Sequence, residues 1–277
     1  MKVVLFCGGL GTRLKEYSET IPKPMVEIGH RPIMWHLMKY YAHYGHTEFI
    51  LCLGYGGEVI RNYFLNYNEC LSNDFVLSDG GRTVTLLNQD ISDWTITFVD
   101  TGLNSNIGQR LMAVKRFLGN DEHFLANYAD GLSDLDLSAY IEQFHRHGKA
   151  ASFLCVRLSQ SFHVVTLALD GEVTSIQPVQ DADLWINGGY FIFHREIFDY
   201  MRPGEDLVVE PFQRLIAQNQ LVAYRNPGFW ACMDTYKEKQ TLDELYHRGN
   251  APWVVWNKDD IAAAPSVATC VRWNWPI

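Results

Sequence analysis

The sequence has 277 residues, of which 47% are hydrophobic and 20% are charged, and its formal net charge is −9. The acidic balance argues against a general nucleic-acid binder, whose surface carries a basic patch. No apolar run approaches the about 18 residues that a membrane-spanning helix needs, so we expect no membrane partner. The N-terminal stretch MKVVLFCGG is predicted to be a first strand and not a signal peptide. The six cysteines form no C-x-x-C pair, which argues against a structural zinc site. Cys7, Cys52 and Cys155 lie in apolar runs, where free cysteine behaves as a small hydrophobe, and together with the absence of a signal-peptide pattern this predicts a cytoplasmic location.

Strands and helices alternate in the first part of the chain. An apolar run at residues 2–7 predicts a strand, and a glycine-rich loop follows it. Apolar residues at helical spacing predict a helix over 32–44, and a second apolar run predicts a strand at 48–53. A second helix is predicted over 58–67. This alternation is typical of a doubly wound α/β protein with a parallel sheet.

The later elements are predicted to be more mixed. Turn signals predict one hairpin over 73–88, around Asp79-Gly80-Gly81, and another over 164–177, around Asp170-Gly171. Further strands are predicted at 94–99, 124–128, 150–156, 190–193 and 221–224. Further helices are predicted at 108–115, 137–147, 196–201, 210–219 and 237–248. Because the sequence has no repeat, low-complexity segment or linker, we predict a single domain over 1–277.

The first candidate site is the glycine-rich loop after the first predicted strand. It reads Gly8-Gly9-Leu10-Gly11-Thr12-Arg13, and its glycines let backbone N–H groups approach a phosphate without a steric clash. Arg13 can hold phosphate oxygens in a bidentate fork, and Lys23, between Pro22 and Pro24, adds a point charge. The plain alternative is a strand-to-helix turn with charged residues on the surface.

Two aspartates are the candidate metal ligands. Asp130 follows the predicted strand at 124–128, and the carboxyl ends of parallel strands face the crevice where α/β sheets bind ligands. Mg²⁺ takes one or two carboxylates and completes its coordination with substrate phosphates and water. Asp234 is the candidate second carboxylate. The alternatives are an Asp-Gly turn at Asp130 and a helix N-cap at Asp234.

Two further stretches carry polar groups next to predicted strands. Thr101-Gly102 ends one strand and precedes Arg110, which is expected to reach a triphosphate. Asn187-Gly188-Gly189 offers an amide side chain and open backbone suited to polyol hydroxyls. Its alternative is a simple turn, because all three residues are common in turns.

Together these residues resemble the nucleotidyltransferases that activate sugar phosphates, whose signature is G-G-x-G-T-R-L followed by P-K-P. Within that superfamily the chain is most similar to the glucose-1-phosphate cytidylyltransferases. The similarity covers roughly residues 1–256. The matching stretches are 8–14, 22–29, 99–102, 186–189, 210–211, 227–230, 233–235 and 251–253.

The resemblance implies a Rossmann-like, mostly parallel mixed sheet of the nucleotide-diphospho-sugar transferase type. It implies Mg²⁺ as cofactor, CTP and a phosphorylated small molecule as substrates, and release of pyrophosphate. The implied catalytic residues are Arg13, Lys23 and Asp130, and the implied metal ligands are Asp130 and Asp234. The implied nucleotide-binding residues are Cys7, Gly8, Gly9, Leu10, Gly11, Thr12, Arg13, Thr101, Gly102 and Arg110. The implied acceptor-binding residues are His163, Asn187, Gly188 and Glu210. The resemblance also implies a homo-oligomer, with the 73–88 hairpin as a candidate contact.

The sequence departs from the family pattern mainly on the acceptor side. His163 follows Phe162 where the family usually has glycine, and Ser175-Ile176-Gln177-Pro178-Val179 lacks the lysine of the family's Glu-Lys-Pro triplet. Ala129 also stands where glycine is common. These departures predict that nucleotide use is retained, with either glucose 1-phosphate or a related phosphorylated molecule as the acceptor.

Three alternatives remain open at this point. The same chemistry with dTTP or UTP is the nearest, because the sequence does not display the contacts that select the base. A catalytically weak nucleotide-binding paralogue is the second, motivated by the absent lysine. An oxidoreductase that uses a dinucleotide is the third, and it lacks the G-x-G-x-x-G spacing.

Overall fold

The computed structural model describes residues 1–9, 21–158 and 162–256. In chain order, the strands in these ranges are β1 (Val3–Phe6), β2 (Glu27–Ile28), β3 (Arg31–Pro32), β4 (Glu48–Leu53), β5 (Phe75–Ser78), β6 (Thr83–Leu86), β7 (Thr95–Asp100), β8 (His123–Asn127), β9 (Gly131–Ser133), β10 (Ala151–Arg157), β11 (His163–Leu167), β12 (Val173–Pro178), β13 (Trp185–His194), β14 (Leu221–Arg225) and β15 (Trp230–Cys232). The α-helices are α1 (Ile33–His43), α2 (Gly57–Leu65), α3 (Ile107–Val114), α4 (Leu137–His147), α5 (Glu210–Ala217) and α6 (Tyr236–His247).

A seven-stranded sheet forms the centre of the molecule, in the order β14-β10-β13-β8-β1-β4-β7. Neighbouring strands run parallel except at β13, which is antiparallel to both β8 and β10. The prediction of a mostly parallel, mixed sheet is therefore confirmed. Strand β1 is central and fully buried, which explains why it is a continuous apolar run and not an alternating one.

Helices cover both faces of this sheet. Buried side chains of α1, α2, α4 and α6 form one core cluster with the sheet, and those of α3 and α5 form the other. The parallel strands therefore end together at one edge, between two helical layers. In such sheets this edge is where ligands bind.

One long strand was predicted too short, at 190–193, and two short ribbons were missed. Strand β13 begins at Trp185 because Asn187-Gly188-Gly189, which looked like a turn, lies within the strand. Gly189 has a φ of +76° and the pairing with β10 is irregular there, so a bulge accommodates the glycines. The ribbons β2–β3 and β9–β15 were also missed, because two- and three-residue strands leave no periodic signal. The 196–201 helix is a 3₁₀ helix, Arg195–Tyr200.

The C-terminal part of the described chain packs against α1. Trp253 is fully buried, and its indole N–H donates to Nδ1 of His36 at 3.4 Å. Nε2 of His36 lies 3.0 Å from the carbonyl oxygen of Ile28. An indole only donates and a carbonyl only accepts, so these partners require a neutral His36 that is protonated on Nε2. Burial lowers the pKa of His36 to about 4.

No helix in the described ranges combines the length and the apolar composition required to span a membrane.

Candidate active site

The two candidate metal carboxylates meet because the short strands β9 and β15 pair. Gly131 lies opposite Cys232 in this antiparallel ribbon, and the backbone N–H of Met233 donates to the carbonyl of Asp130 at 3.0 Å. Asp130 precedes the first strand and Asp234 follows the second. The ribbon therefore places residues about 100 positions apart in the sequence side by side, just beyond the carboxyl end of β8.

Lys23 bridges the two carboxylates. Its Nζ lies 2.6 Å from Oδ2 of Asp130 and 2.5 Å from Oδ1 of Asp234. Lys23 opens the 3₁₀ helix Lys23–Met25, whose first turn is closed by a bond from the Met25 N–H to the Pro22 carbonyl. Pro22 fixes the chain direction before that turn, so the lysine is held at the carboxylates by local geometry. The structure thus brings together three of the predicted site residues.

Burial and charge act in opposite directions on these groups. Burial would lower the pKa of Lys23, but Asp130 and Asp234 raise it above its usual value, so the lysine remains a cation. Burial raises the pKa of Asp130, while Lys23 opposes that rise. The positive charge of the ammonium therefore compensates the negative charges of two partly buried carboxylates, which would otherwise repel each other.

The same pair of carboxylates fits a Mg²⁺ site. The Lys23 ammonium already places a cation within hydrogen-bonding distance of both side chains. Within the described residues no cluster of three or more metal-ligating side chains exists. Two carboxylates are what Mg²⁺ requires from the protein when substrate phosphates supply further oxygen ligands.

Asp234 is held by a helix cap that it does not itself form. Thr235 is the N-cap of α6, and its hydroxyl accepts the N–H of Glu238 at 3.3 Å. Oε2 of Glu238 accepts the N–H groups of both Thr235 and Asp234, each at 2.8 Å. The alternative reading of Asp234 as the N-cap is therefore wrong, and its carboxylate is directed to Lys23.

The backbone immediately before Asp130 is strained. Ala129 has a φ of +65°, is fully buried and donates its N–H to Oδ1 of Asn127 at 3.0 Å. A left-handed alanine explains why glycine is common here in the family that the sequence resembles. Strain of this kind is typical of functional sites, where neighbouring contacts hold the backbone in place.

The glycine-rich loop is only partly within the described residues. Gly8 and Gly9 follow β1 at the carboxyl edge of the sheet, and among the described residues an added Cβ on Gly9 would meet no atom within 4 Å. A glycine without a side chain lets a ligand approach this backbone closely. Leu10, Gly11, Thr12 and Arg13 lie outside the described residues.

Cys7 and Arg110 are placed differently from the prediction. Cys7 is fully buried, with Sγ against Leu5 and Met34, so only its backbone is available to a nucleotide. Arg110 is 2% exposed, and its guanidinium donates to the carbonyls of Leu53, Gly102 and Gly8 and to Oγ1 of Thr101. Those distances are 3.1, 3.0, 2.9 and 2.7 Å.

Arg110 therefore braces the loops that carry Gly8, Thr101 and Gly102, and it does not extend toward a triphosphate. Thr101 is also buried, and its hydroxyl donates to the Leu53 carbonyl at 2.7 Å. Gly102 is exposed beside it. This arrangement could not be predicted from the sequence, because an arginine can bind either phosphate oxygens or backbone carbonyls.

The predicted acceptor residues are spread over three elements. Asn187 donates to the Tyr128 hydroxyl at 3.3 Å, and its Oδ1 accepts the Gly189 N–H at 2.9 Å. Gly188 accepts the Trp230 indole N–H at 2.8 Å. His163 stands exposed at the start of β11, and exposed Glu210 begins α5. The sequence did not single out Tyr128 or the Trp230 side chain as members of this group.

A cavity of about 870 Å³ lies beside these residues. One side is formed by the first turns of α6, beginning at Thr235, and another by the end of β10 and by Phe162. Trp230 also lines the cavity. The cavity therefore lies next to Thr235, the neighbour of Asp234 in the chain, and next to the Trp230 indole that donates to the Gly188 carbonyl. Its charged lining residues are Arg157, Lys237 and Glu238.

A family model described as nucleotidyl transferase matches residues 2–238. The chain belongs to this family. The nucleotidyl transferase is 39% identical over 258 residues to the glucose-1-phosphate cytidylyltransferase of Salmonella typhimurium, and the match covers 92% of this chain and 100% of that protein. It is 38% identical, with the same coverage, to a protein of Bacillus subtilis described as a probable glucose-1-phosphate cytidylyltransferase.

Solved structures share the fold of this nucleotidyl transferase. A UDP-glucose pyrophosphorylase in complex with UDP-glucose superposes with a TM-score of 0.66 and 16% identity, covering 90% of this chain and 98% of that one. HddC from Yersinia pseudotuberculosis superposes with a TM-score of 0.63 and 20% identity, and the match covers 88% of this chain and 99% of that one. The predicted fold type is therefore confirmed.

Proposed function

We propose that this enzyme is a cytidylyltransferase. It joins CTP to a sugar 1-phosphate, either glucose 1-phosphate or a related phosphorylated acceptor, and gives a CDP-linked product and pyrophosphate. The observation that carries the proposal is Lys23 held between Asp130 and Asp234 at the ligand-binding edge of the sheet. The full-length similarity to the Salmonella cytidylyltransferase supports the choice of CTP.

In the proposed reaction, a phosphate oxygen of the acceptor attacks the α-phosphorus of CTP. A new P–O bond forms, the bond between the α-phosphorus and the bridging oxygen breaks, and pyrophosphate leaves with that electron pair. No covalent enzyme intermediate is required. The protein contributes mainly orientation and compensation of phosphate charge.

Lys23 supplies the positive charge that is placed to compensate the charge of the phosphates. It remains protonated because the two aspartates raise its pKa. Asp130 and Asp234, which now accept the Lys23 ammonium, would hold a hard cation, and that ion would supply the charge compensation that Lys23 gives them; Lys23 would then be free to donate to phosphate oxygens. The role of Arg13 as a second phosphate ligand stays a prediction.

Asp130 and Asp234 would hold Mg²⁺ in this reaction. The bound ion would supply charge neutralisation at the phosphates. The β9–β15 ribbon and the Glu238 cap fix the backbone of both ligands, so the carboxylates need no large rearrangement to bind it.

The proposal is tested by measuring pyrophosphate release with Mg²⁺ and glucose 1-phosphate in parallel reactions with CTP, dTTP, UTP and ATP. We expect release with CTP at least about tenfold faster than with the others, a difference of about 1.4 kcal/mol in the barrier. Faster release with dTTP or UTP would contradict the cytidylyl assignment. Nucleotide binding without release, for every phosphorylated acceptor tried, would instead indicate the binding paralogue.

We also propose that the enzyme self-associates. The β5–β6 hairpin leaves Phe75, Val76 and Leu77 exposed, at 42, 49 and 59% of their surface. Contiguous exposed apolar residues of this kind are typical of contact surfaces.

A further inference from the structure

The backbone directly before Asp130 is held in a left-handed turn. Ala129 has a φ of +65°, a conformation that an L residue with a Cβ disfavours by a factor of roughly ten. Its methyl group is fully buried in the core cluster that α1 shares with the sheet. Glycine would adopt this conformation freely, whereas alanine needs a contact that holds it there.

Asn127 makes that contact. It is the last residue of β8 and is 1% exposed, and its Oδ1 accepts the Ala129 N–H at 3.0 Å. This arrangement is an Asx turn, in which the asparagine side chain takes the place of a backbone carbonyl. The bond fixes the direction of the Ala129 N–H, and it therefore stabilises the left-handed backbone.

The neighbours of Asp130 are anchored on both sides. Because Oδ1 of Asn127 accepts an N–H, its Nδ2 is the donor, and it lies 3.2 Å from the hydroxyl oxygen of buried Tyr41 in α1. Tyr190 lies opposite Asn127 in the pairing of β13 with β8, and its hydroxyl donates to the Gly131 carbonyl at 3.0 Å. The asparagine is thus locked before the aspartate, and a tyrosine holds the residue after it.

These contacts determine where the Asp130 carboxylate lies. The Asp130 carbonyl accepts the Met233 N–H at 3.0 Å, so its own peptide is fixed as well. If the Ala129 turn relaxed, the dihedral angles directly before Asp130 would change, and the carboxylate would move away from Lys23 and Asp234. A site that is formed for only a fraction of the time binds its ligand more weakly in proportion to that fraction.

We infer that Asn127 is a positioning residue for the candidate metal site: it holds Ala129 in the left-handed turn and thereby keeps Asp130 in place to bind a divalent cation. It also allows this chain to carry alanine where glycine is common. The inference rests on the proposed function, because the cation at Asp130 belongs to that reaction.

The test is a double-substitution cycle between the two positions, measured as the affinity for Mn²⁺ alone. Mn²⁺ prefers the same oxygen ligands as Mg²⁺, and electron paramagnetic resonance of the free ion reports its binding without turnover. Asn127→Leu removes the acceptor and should weaken Mn²⁺ binding at least about tenfold. Combined with Ala129→Gly, the same substitution should weaken it less than about threefold, because glycine does not need the contact. Ala129→Gly alone should change it less than about twofold.

Two further variants complete the cycle. Asn127→Ser keeps a hydroxyl that can accept the same N–H more weakly, so its Mn²⁺ affinity should lie between those of the unaltered protein and Asn127→Leu. This variant also serves if the leucine variant does not fold. Ser152→Ala is the matched control, because it removes another buried polar group near the start of β10, at the sheet edge away from Asp130. It should lower the urea midpoint and leave the Mn²⁺ affinity unchanged.

The cycle and the pyrophosphate assay separate this inference from the proposed function. Equal weakening by Asn127→Leu with and without Ala129→Gly would overturn the inference, because Asn127 would then support only the fold. Unchanged affinity in Asn127→Leu, or no Mn²⁺ binding by the unaltered protein, would overturn it as well. Coupled positions without pyrophosphate release from any acceptor would support the positioning role and count against the cytidylyltransferase. Release with CTP from a protein whose two positions are not coupled would do the reverse.

Discussion

The site role of a residue could be predicted from the sequence where its side-chain type allows only a few kinds of interaction. Lys23, Asp130 and Asp234 were selected from the sequence, and the structure brings them within hydrogen-bonding distance. Cys7 was chosen because it adjoins the glycine-rich loop, and Arg110 because it follows the strand end at Thr101-Gly102. The side chains of both residues are buried and contact backbone groups. A sequence states which groups an arginine can bind, whereas only the packing around it decides which of them it meets.

The bridging role of Lys23 predicts the effect of removing it. In Lys23→Met, two carboxylates face each other without a cation, so one of them should bind a proton at a higher pH. A carboxylate whose pKa is raised by folding favours the folded state at low pH. The loss in free energy of unfolding should therefore be larger at pH 8 than at pH 5. Pyrophosphate release should fall about 100-fold or more.

Urea denaturation at the two pH values and a pyrophosphate assay check this result. Lys149→Met is the control, because Lys149 lies just before β10 at the opposite edge of the sheet. A Lys23→Met enzyme with unaltered turnover would contradict the role given to the lysine.

At the scale of elements, periodicity identified the long strands and helices, and their bounds agree to within a few residues. The ribbon β9–β15 was missed, although it places the two candidate metal ligands side by side. Each of its strands has three residues, too few for an alternating pattern to emerge. The pairing of Asp130 with Asp234 was therefore predicted from residue type and from the family resemblance, and the ribbon now gives it a physical cause.

The cap of α6 links helix stability to the site. Glu238→Ala removes the acceptor for the Thr235 and Asp234 N–H groups, so it should lower the free energy of unfolding by about 1 kcal/mol. It should also lower pyrophosphate release about tenfold or more, since the ligand backbone loses its anchor. Asp136→Ala removes the cap of α4, where Oδ1 of Asp136 accepts the Ala139 N–H at 3.0 Å.

The Asp136→Ala substitution should lower the free energy of unfolding by a similar amount. It should change turnover by less than about twofold, because this cap does not hold a residue of the site. Thermal denaturation and steady-state assays on both variants give the comparison. Equal losses of turnover in the two would show that activity merely follows stability.

At the scale of the whole molecule, the burial of His36 makes stability depend on pH. The pKa of His36 is about 4 in the folded chain and near 6.5 when unfolded, so the unfolded state binds the proton first. Stability is therefore fully present above about pH 6.5 and is lost as the pH falls toward 4, by up to about 3 kcal/mol from this group.

His36→Gln cannot take up that proton and should flatten this part of the curve. The measurement is the urea midpoint at half-unit steps from pH 4 to pH 7.5 for both proteins. The diagnostic quantity is the slope and not the absolute stability, because the variant also changes packing. Parallel curves would mean that His36 does not titrate on unfolding.

The burial of Trp253 against α1 also determines when the protein can finish folding as it is synthesised. Helix α1 emerges from the ribosome early, but the indole that covers it belongs to the last described segment. At about 5–20 residues per second, the two are separated by on the order of 10–40 s of translation. During that interval the part of α1 that Trp253 covers lacks its indole partner, so this side of the core is completed only after most of the chain has been synthesised.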